Sequence, residues 1–354
     1  MDLYNRTDKK LLKDWIQKDP TVRTTISFYR YVNIKNPELL RDELFMNWSN
    51  LGVLGRIYLA KEGINAQFSV PTENLEAFRT YLNSFVEFKD MPFKIAVEDD
   101  GKSFYKLVIK VKTKIVADGL KDDAFDTTNV GTHLTAKEWN ELMAKEDTIV
   151  VDMRNHYESE IGHFQGAVLP DADTFREELQ VVKKELTDAK DKKVLLYCTG
   201  GVRCEKASAF LKSEGFKDVN QLYGGIIDYA RQCKAENLES KFIGKNFVFD
   251  ERIGERITDD IISECHQCGA PSDRHTNCKN DACHLLFIQC EECQEEMEGT
   301  CTPACREISR LPVEEQRKLR KGQNSTDCLK VYKSRLRPNL KKMLSEESGL
   351  CQAK

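Results

Sequence analysis

The chain has 354 residues, 40% of them apolar and 32% charged, with 54 Lys and Arg against 58 Asp and Glu and a net charge of −4. That balance excludes a fibrous or wholly disordered protein, and with no run of about 18 uncharged apolar residues it excludes a membrane-spanning helix. The charged start, MDLYNRTDKKLLKDW, lacks an apolar leader and predicts a cytoplasmic protein, in which 13 cysteines point to metal ligands and reactive thiols rather than disulfides.

After an extension over residues 1–23, residues 24–117 form the first domain. TTISFYRYV reads as a strand, PELLRDELFMNWSN as a helix, GRIYLA and INAQFSV as strands around a turn at Lys61 to Gly63, and NLEAFRTYLNSF as a second helix. The last strand is SFYKLVIKVKTKIV, where Leu107, Ile109, Val111 and Ile115 alternate with Lys106, Lys110, Lys112 and Lys114. The order βαββαβ predicts a ferredoxin-like (acylphosphatase-like) sandwich with one open sheet face. If that face holds the four lysines it suits RNA phosphates; a merely solvated face is the alternative.

Residues 118–143 are a polar linker and a lead-in helix, with Thr135 and Glu138 as its capping box ahead of Trp139, Leu142 and Met143. The second domain, 144–238, alternates short buried strands near 148–153, 166–169, 194–197 and 219–222 with helices, the pattern of a parallel sheet covered on both sides. Its most informative stretch is VLLYCTGGVRCEKASAFLKSEG, residues 194–215. A buried strand ends at Cys198, and Thr199, Gly200, Gly201, Val202 and Arg203 complete a loop before a helix that begins near Cys204. Glycines let several backbone N–H groups converge on one point. With the helix N-terminus behind, the ring favours thiolate at Cys198. Four residues separate Cys198 from Arg203, one fewer than in phosphatase-type loops. The tighter ring suits a sulfur-sized adduct and points to a rhodanese fold, which IVVDMRN, GHFQGAV and LYGGI resemble in the expected order. Asp152 and Arg154 are expected to brace the loop. Cys204 is either a resolving thiol or a packing residue at a helix start.

Residues 239–305 form a cysteine-rich module with four pairs: Cys265 and Cys268, Cys278 and Cys283, Cys290 and Cys293, Cys301 and Cys305. Each pair presents two thiolates to one tetrahedral ion, so two structural Zn²⁺ sites are expected. Cross-braced pairing, first with third and second with fourth, is preferred over sequential pairing. An iron–sulfur cluster would use the same thiolates, and His266, His275 and His284 are candidate substitutes or neighbours of the ligands. In the tail, 306–354, the stretch Arg306 to Lys342 has twelve Lys or Arg against four Asp or Glu, a phosphate-binding arm or a solvated tail.

Over nearly its whole length the chain resembles the rhodanese-domain tRNA uridine hydroxylases, which form 5-hydroxyuridine at wobble position 34. The matching motifs are EGINAQ (62–67), FYKLVIKVKTKIVADGL (104–120), CTGGVRCEKASA (198–209), CHQCGA and NCKNDACHLLFIQC (265–290). The resemblance implies a multidomain α/β and α+β enzyme that takes dioxygen as co-substrate and tRNA as partner, with Cys198 as the active cysteine. A thiolate there could add to C6 of uracil and enrich C5 in electrons. No motif identifies the electron donor. The rival is a sulfurtransferase carrying a persulfide on Cys198, and a third reading is a non-catalytic RNA-binding scaffold.

Overall fold

The structure, a computed structural model, describes residues 7–121, 125–321 and 339–345. It divides into two compact units, Met1–Thr258 and Asp259–Lys354. In the first, helix α1 (Lys9–Lys18) starts where the Asp8 carboxylate accepts from the Lys10 N–H at 2.8 Å. There follow β1 (Arg23–Tyr31), α2 (Pro37–Asn50), β2 (Leu54–Ala60), β3 (Gly63–Pro71), α3 (Leu75–Asn83), β4 (Lys94–Ile95) and β5 (Leu107–Val111). Pro37 opens α2 behind an Asn36 cap, a placement that loses no helical hydrogen bond.

The sheet order is β4-β1-β3-β2-β5. The first four strands are the ferredoxin-like arrangement, antiparallel at every junction. The lysine-bearing strand is not its closing strand, as the periodicity had suggested. Lys94–Ile95 takes that place beside β1, and Leu107–Val111 is a fifth strand added parallel to β2 at the other edge. Two residues carry no readable periodicity, whereas the apolar alternation of 107–115 does. One sheet face buries Ile26, Phe28, Ile57, Ile64 and Phe68 against Trp48 and Phe78 of the helices. The other face, expected to be open, is turned to the second domain.

That domain comprises β6 (Thr132–Leu134), α4 (Ala136–Met143), β7 (Thr148–Asp152), α5 (His156–Ser159), β8 (Gly162–Phe164), α6 (Phe175–Glu185), β9 (Lys193–Tyr197), α7 (Val202–Ser213), β10 (Asp218–Leu222), α8 (Gly225–Glu236), β11 (Phe242–Phe247) and β12 (Gly254–Arg256). Four parallel strands run β6-β10-β9-β7 with helices on both faces. Thr132–Leu134, read as linker, is therefore an edge strand of this sheet, and Trp139 of the capped helix α4 is fully buried in its core. Of the strand expected at 166–169, only a bridge from Val168 to Val151 exists. A separate sheet, β12-β11-β8, ties residues 242–256 to β8. Those residues belong to the first unit and not to the cysteine module.

The second unit contains β13 (His275–Asn277), β14 (Leu286–Ile288), α9 (Glu291–Glu296), α10 (Pro303–Arg310), α11 (Val313–Lys321) and α12 (Leu340–Ser345). Its core is Leu285, Phe287 and Leu340 around four buried cysteines. The tail begins as two helices, and its charges are partly neutralised: Arg310 pairs with Glu298 and Glu307, and Arg317 with Glu314. Residues 322–338 and 346–354 of the expected basic arm lie outside the described residues.

Candidate active site and metal centres

β9 is buried from Val194 to Tyr197 and delivers Cys198 to the carboxyl end of the parallel sheet, where open α/β sheets place their sites. The chain then turns through Gly201, whose φ of 94° is left-handed, and α7 starts at Val202, earlier than the apolar spacing suggested. The Gly201 N–H donates to Cys198 Sγ at 3.1 Å. From beneath, Ile226 N–H donates to the Cys198 carbonyl at 3.0 Å and Ile227 N–H to that of Thr199 at 3.2 Å. A methyl group on Gly225 would lie 2.6 Å from both carbonyl oxygens. The second glycine of LYGGI is thus required by close backbone approach.

Cys198 has no solvent exposure. Burial pushes its thiol up, but a hydrogen bond from the Cys204 thiol, the Arg203 charge, and the Cys204 and Arg203 N–H groups outweigh it and hold Cys198 at about 5. Cys204 is shifted the opposite way, first by burial and then by donating to Cys198. At neutral pH the pair is one thiolate and one thiol.

Arg203 is not free to grip a ligand. Its guanidinium is forked onto Glu158 at 2.6 and 2.8 Å, and Glu158 has no exposure. Glu158 also caps α5, accepting from the Asn155 N–H at 3.1 Å. Sequence reading missed this carboxylate because N-x-x-E reads only as a capping box. Asp152 and Arg154, expected to brace the loop, hold instead the strand that leads into it, where Tyr197 Oη donates to Asp152 at 2.8 Å. They form a fully buried bidentate pair at 2.8 and 2.7 Å, and Arg154 also donates to the Gly162 carbonyl at 2.6 Å.

The first domain closes over the loop. Tyr29 Oη donates to Glu205 at 2.8 Å, Tyr31 Oη to the Val202 carbonyl at 3.2 Å, and Lys206 Nζ to Glu62 at 2.6 Å. The charged pair in CEKASA and the glutamate of EGINAQ are therefore the clamp between two domains. Between sheet and loop lies a cavity of about 250 Å³, its lining including Cys198, Gly200, Tyr29, Tyr58, Gln67 and Lys94. Lys94 is 4% exposed with its ammonium 4.5 Å from the centre of the Tyr29 ring. Burial pushes Lys94 down, with the Asp228 and Cys198 charges opposing.

The four lysines divide. In the β2–β5 register Lys110 stands beside Tyr58, on the cavity side of the sheet, and Lys112 lies over the Tyr58 ring. Lys110 and Lys112 are exposed and Lys106 is half-buried. Lys114 lies beyond the end of β5 and turns inward, donating to Asp118 at 2.8 Å and to the Leu120 carbonyl at 2.7 Å.

In the second unit the cysteines gather as Cys265, Cys268, Cys290 and Cys293 in one group and Cys278, Cys283, Cys301 and Cys305 in the other, all ligand atoms of a group within 4.8 Å of one another. The first pair meets the third and the second the fourth; neither group includes a histidine. Sulfur separations of 3.6 Å (Cys268 to Cys290 and Cys301 to Cys305) and 3.7 Å (Cys283 to Cys301) match the edge of about 3.8 Å of a tetrahedron with 2.3 Å metal–sulfur bonds. Asn280 Nδ2 donates to Cys305 Sγ and the Ala270 N–H to Cys268 Sγ, both at 3.4 Å, the supporting contacts expected around thiolate ligands.

The fold and the loop define a rhodanese-like enzyme capped by an acylphosphatase-like domain. Family models agree: "UPF0176 acylphosphatase like domain" matches residues 23–115, "Rhodanese-like domain" 135–232 and "Rhodanase C-terminal" 243–306. The chain is 57% identical to a tRNA uridine(34) hydroxylase of Leptospira interrogans, covering 96% of this chain and 93% of the relative. It is 51% identical to one of Photorhabdus laumondii, covering 96% and 97%. Among solved structures, the rhodanese-like domain of an Anabaena protein is 17% identical, covering 32% of this chain and 80% of that one at a TM-score of 0.26. The protein belongs to the tRNA uridine(34) hydroxylase family.

Proposed function

We propose that the protein hydroxylates C5 of uridine 34 in tRNA, with dioxygen as co-substrate and Cys198 as the reacting thiolate. The observation that carries the mechanism is Cys198 in the lining of a cavity of about 250 Å³ that it shares with Tyr29, Tyr58 and Gln67. A space of that size takes one unstacked base and not a folded RNA, so the wobble base leaves its loop to react. The thiolate adds to C6, the π electrons move toward O4, and C5 becomes the electron-rich carbon that accepts oxygen; loss of the C5 proton then expels the thiolate from C6 and restores the C5–C6 double bond. Backbone N–H groups of the loop stabilise the thiolate before attack. Arg203, locked to Glu158, holds the loop's shape and contributes its charge from behind.

Lys106, Lys110 and Lys112 fix the anticodon arm by its phosphates, and tRNA as partner places the protein in the cytoplasm; no helix among the described residues is long and apolar enough to cross a membrane. The two four-cysteine groups each hold a structural Zn²⁺. The test is the purified protein with a U34 tRNA under ¹⁸O₂ and a thiol reductant, followed by nucleoside mass spectrometry. Labelled 5-hydroxyuridine at position 34 is the expected product. Thiolated nucleosides with no hydroxylated uridine would overturn the reading in favour of sulfur transfer.

A further inference from the structure

Lys94 is a buried cation in the cavity wall that the thiolate chemistry leaves without a role. It is 4% exposed and lines the cavity together with Cys198. Strand register puts it there: Lys94 stands opposite Ser27 in the β4–β1 pair, and Ser27 opposite Gln67 in the β1–β3 pair. Directly opposed residues share one face of a sheet, and Ser27 and Gln67 both line the cavity. The stem of the lysine runs past the active loop, since a methyl group on Gly200 would lie 3.9 Å from Lys94 Cδ. Its ammonium, 4.5 Å from the centre of the Tyr29 ring, has neither a hydrogen bond nor a carboxylate partner among the described residues. Burial works against its charge, while Asp228, Cys198 and Glu205 favour it. The other cations of the lining are committed or exposed. Arg203 is forked onto Glu158, and Arg252 onto Asp250 while also reaching Glu255; Arg56 is exposed.

The inference rests on the function proposed above. When the Cys198 sulfur bonds to C6, one S–C bond forms, the C5–C6 π pair moves toward C4, and the negative charge of the thiolate arrives on O4. No electron enters or leaves in this step and no proton is transferred. The loop N–H groups and Arg203 surround the sulfur, which is where the charge starts. A second positive group is needed where the charge arrives, and one held ready in a buried wall acts strongly. We propose that Lys94 is a catalytic residue whose ammonium hydrogen-bonds uracil O4 and holds the charge that develops there. An ammonium has three N–H donors and no acceptor, which suits a carbonyl oxygen gaining charge, and the incoming base supplies the partner that the free protein lacks.

The experiment measures single-turnover 5-hydroxyuridine formation by the full-length protein with U34 tRNA, in air with dithiothreitol, for the parent, Lys94→Met and Lys94→Arg. Methionine keeps the apolar stem and removes the charge, so the rate constant should fall about 10²-fold with tRNA affinity nearly unchanged. Arginine keeps the charge and the donors but cannot give up a proton, and should be at least ~10-fold faster than methionine. Iodoacetamide should alkylate Cys198 at the parent's rate in both variants, read on the tryptic peptide VLLYCTGGVR, because the loop donors and Arg203 hold the thiolate. Lys94→Met as fast as the parent, or Lys94→Arg as slow as Lys94→Met, would overturn the assignment. So would a loss of activity matched by slower alkylation, which would show that Lys94 acts only through the thiolate. All three outcomes leave hydroxylation itself standing. If the parent makes no 5-hydroxyuridine, the functional reading fails and the role of Lys94 with it.

Discussion

Cys198 and Cys283 are both buried, at 0% and 3% exposure, but their surroundings hold charge differently. Around Cys198 stand N–H donors, a helix start and the guanidinium of Arg203, so a single thiolate is stable without any ion. Around Cys283 stand three more sulfurs, that of Cys301 at 3.7 Å. Four thiolates at that range repel one another, and only a cation makes the set stable when ionised. Burial does not distinguish a reactive cysteine from a ligand; the neighbours that compensate its charge do.

The comparison is broken most directly at Cys198. Cys198→Ser should lower 5-hydroxyuridine formation by about 10³-fold or more while far-ultraviolet circular dichroism and metal content stay unchanged. A well-folded variant that still modifies tRNA would remove the thiolate from the chemistry. The pH behaviour follows from the same surroundings. With Cys198 held at about 5 against an ordinary 9.0, iodoacetamide should alkylate it at a constant rate from about pH 6 upward, declining only as pH falls through 5. Because the folded value is the depressed one, the stability this group contributes is fully present above its unfolded value and lost as pH falls through 5. A half-point near 8 would show that the donors do not offset burial.

Glu158→Gln tests the support behind the loop. It leaves Arg203 buried with a neutral partner, and breaking such a pair costs about 3–5 kcal/mol. Urea unfolding should register that loss, and Cys198 should alkylate more slowly if the loop loosens. Unchanged stability would mean that Arg203 finds another partner.

In the second unit the same residue change should act on metal. Cys283→Ser should reduce zinc from about two ions per chain to about one, with Cys265, Cys268, Cys290 and Cys293 keeping theirs. Inductively coupled plasma mass spectrometry reads this directly. Protein prepared under reducing conditions that never contained metal would end the ligand reading of all eight cysteines.

Much of this contrast is legible in the chain because both cysteine patterns are local. A strand, a cysteine, two glycines and a helix lie within 22 residues, and the paired cysteines, three to five positions apart, have the spacing of metal ligands. What resisted reading is long-range. Glu158 meets Arg203 across 45 positions, and Tyr29 meets Glu205 across 176. The sheet face assigned to solvent is the roof of the cavity, since polar residues at alternate positions look alike whether they face water or a polar pocket. The two-residue strand β4 has no pattern at all, although it sets Lys94 against the loop.

Lysines repeat the lesson that context decides the role, and they give the smallest expected effect. Lys106, Lys110 and Lys112 lie on or beside β5 with no carboxylate partner among the described residues, whereas Lys114 is committed to Asp118, itself 1% exposed and shared with Lys206 at 3.5 Å. Changing the first three to glutamine should weaken tRNA binding about tenfold at moderate salt and flatten the slope of log affinity against log salt by about 2, close to 0.7 for each lost single-strand phosphate contact. Because phosphate contacts position RNA without reading sequence, the loss should be similar for all U34 isoacceptors and fall on KM more than on kcat. Lys114→Gln should do the reverse, leaving the salt slope unchanged and lowering stability by exposing Asp118 as an under-paired buried carboxylate. Filter binding across a salt series, with thermal melts of both variants, separates the two outcomes. Equal salt slopes for the triple variant and the parent would mean that the strand's lysines are only solvated and that the phosphates are held elsewhere.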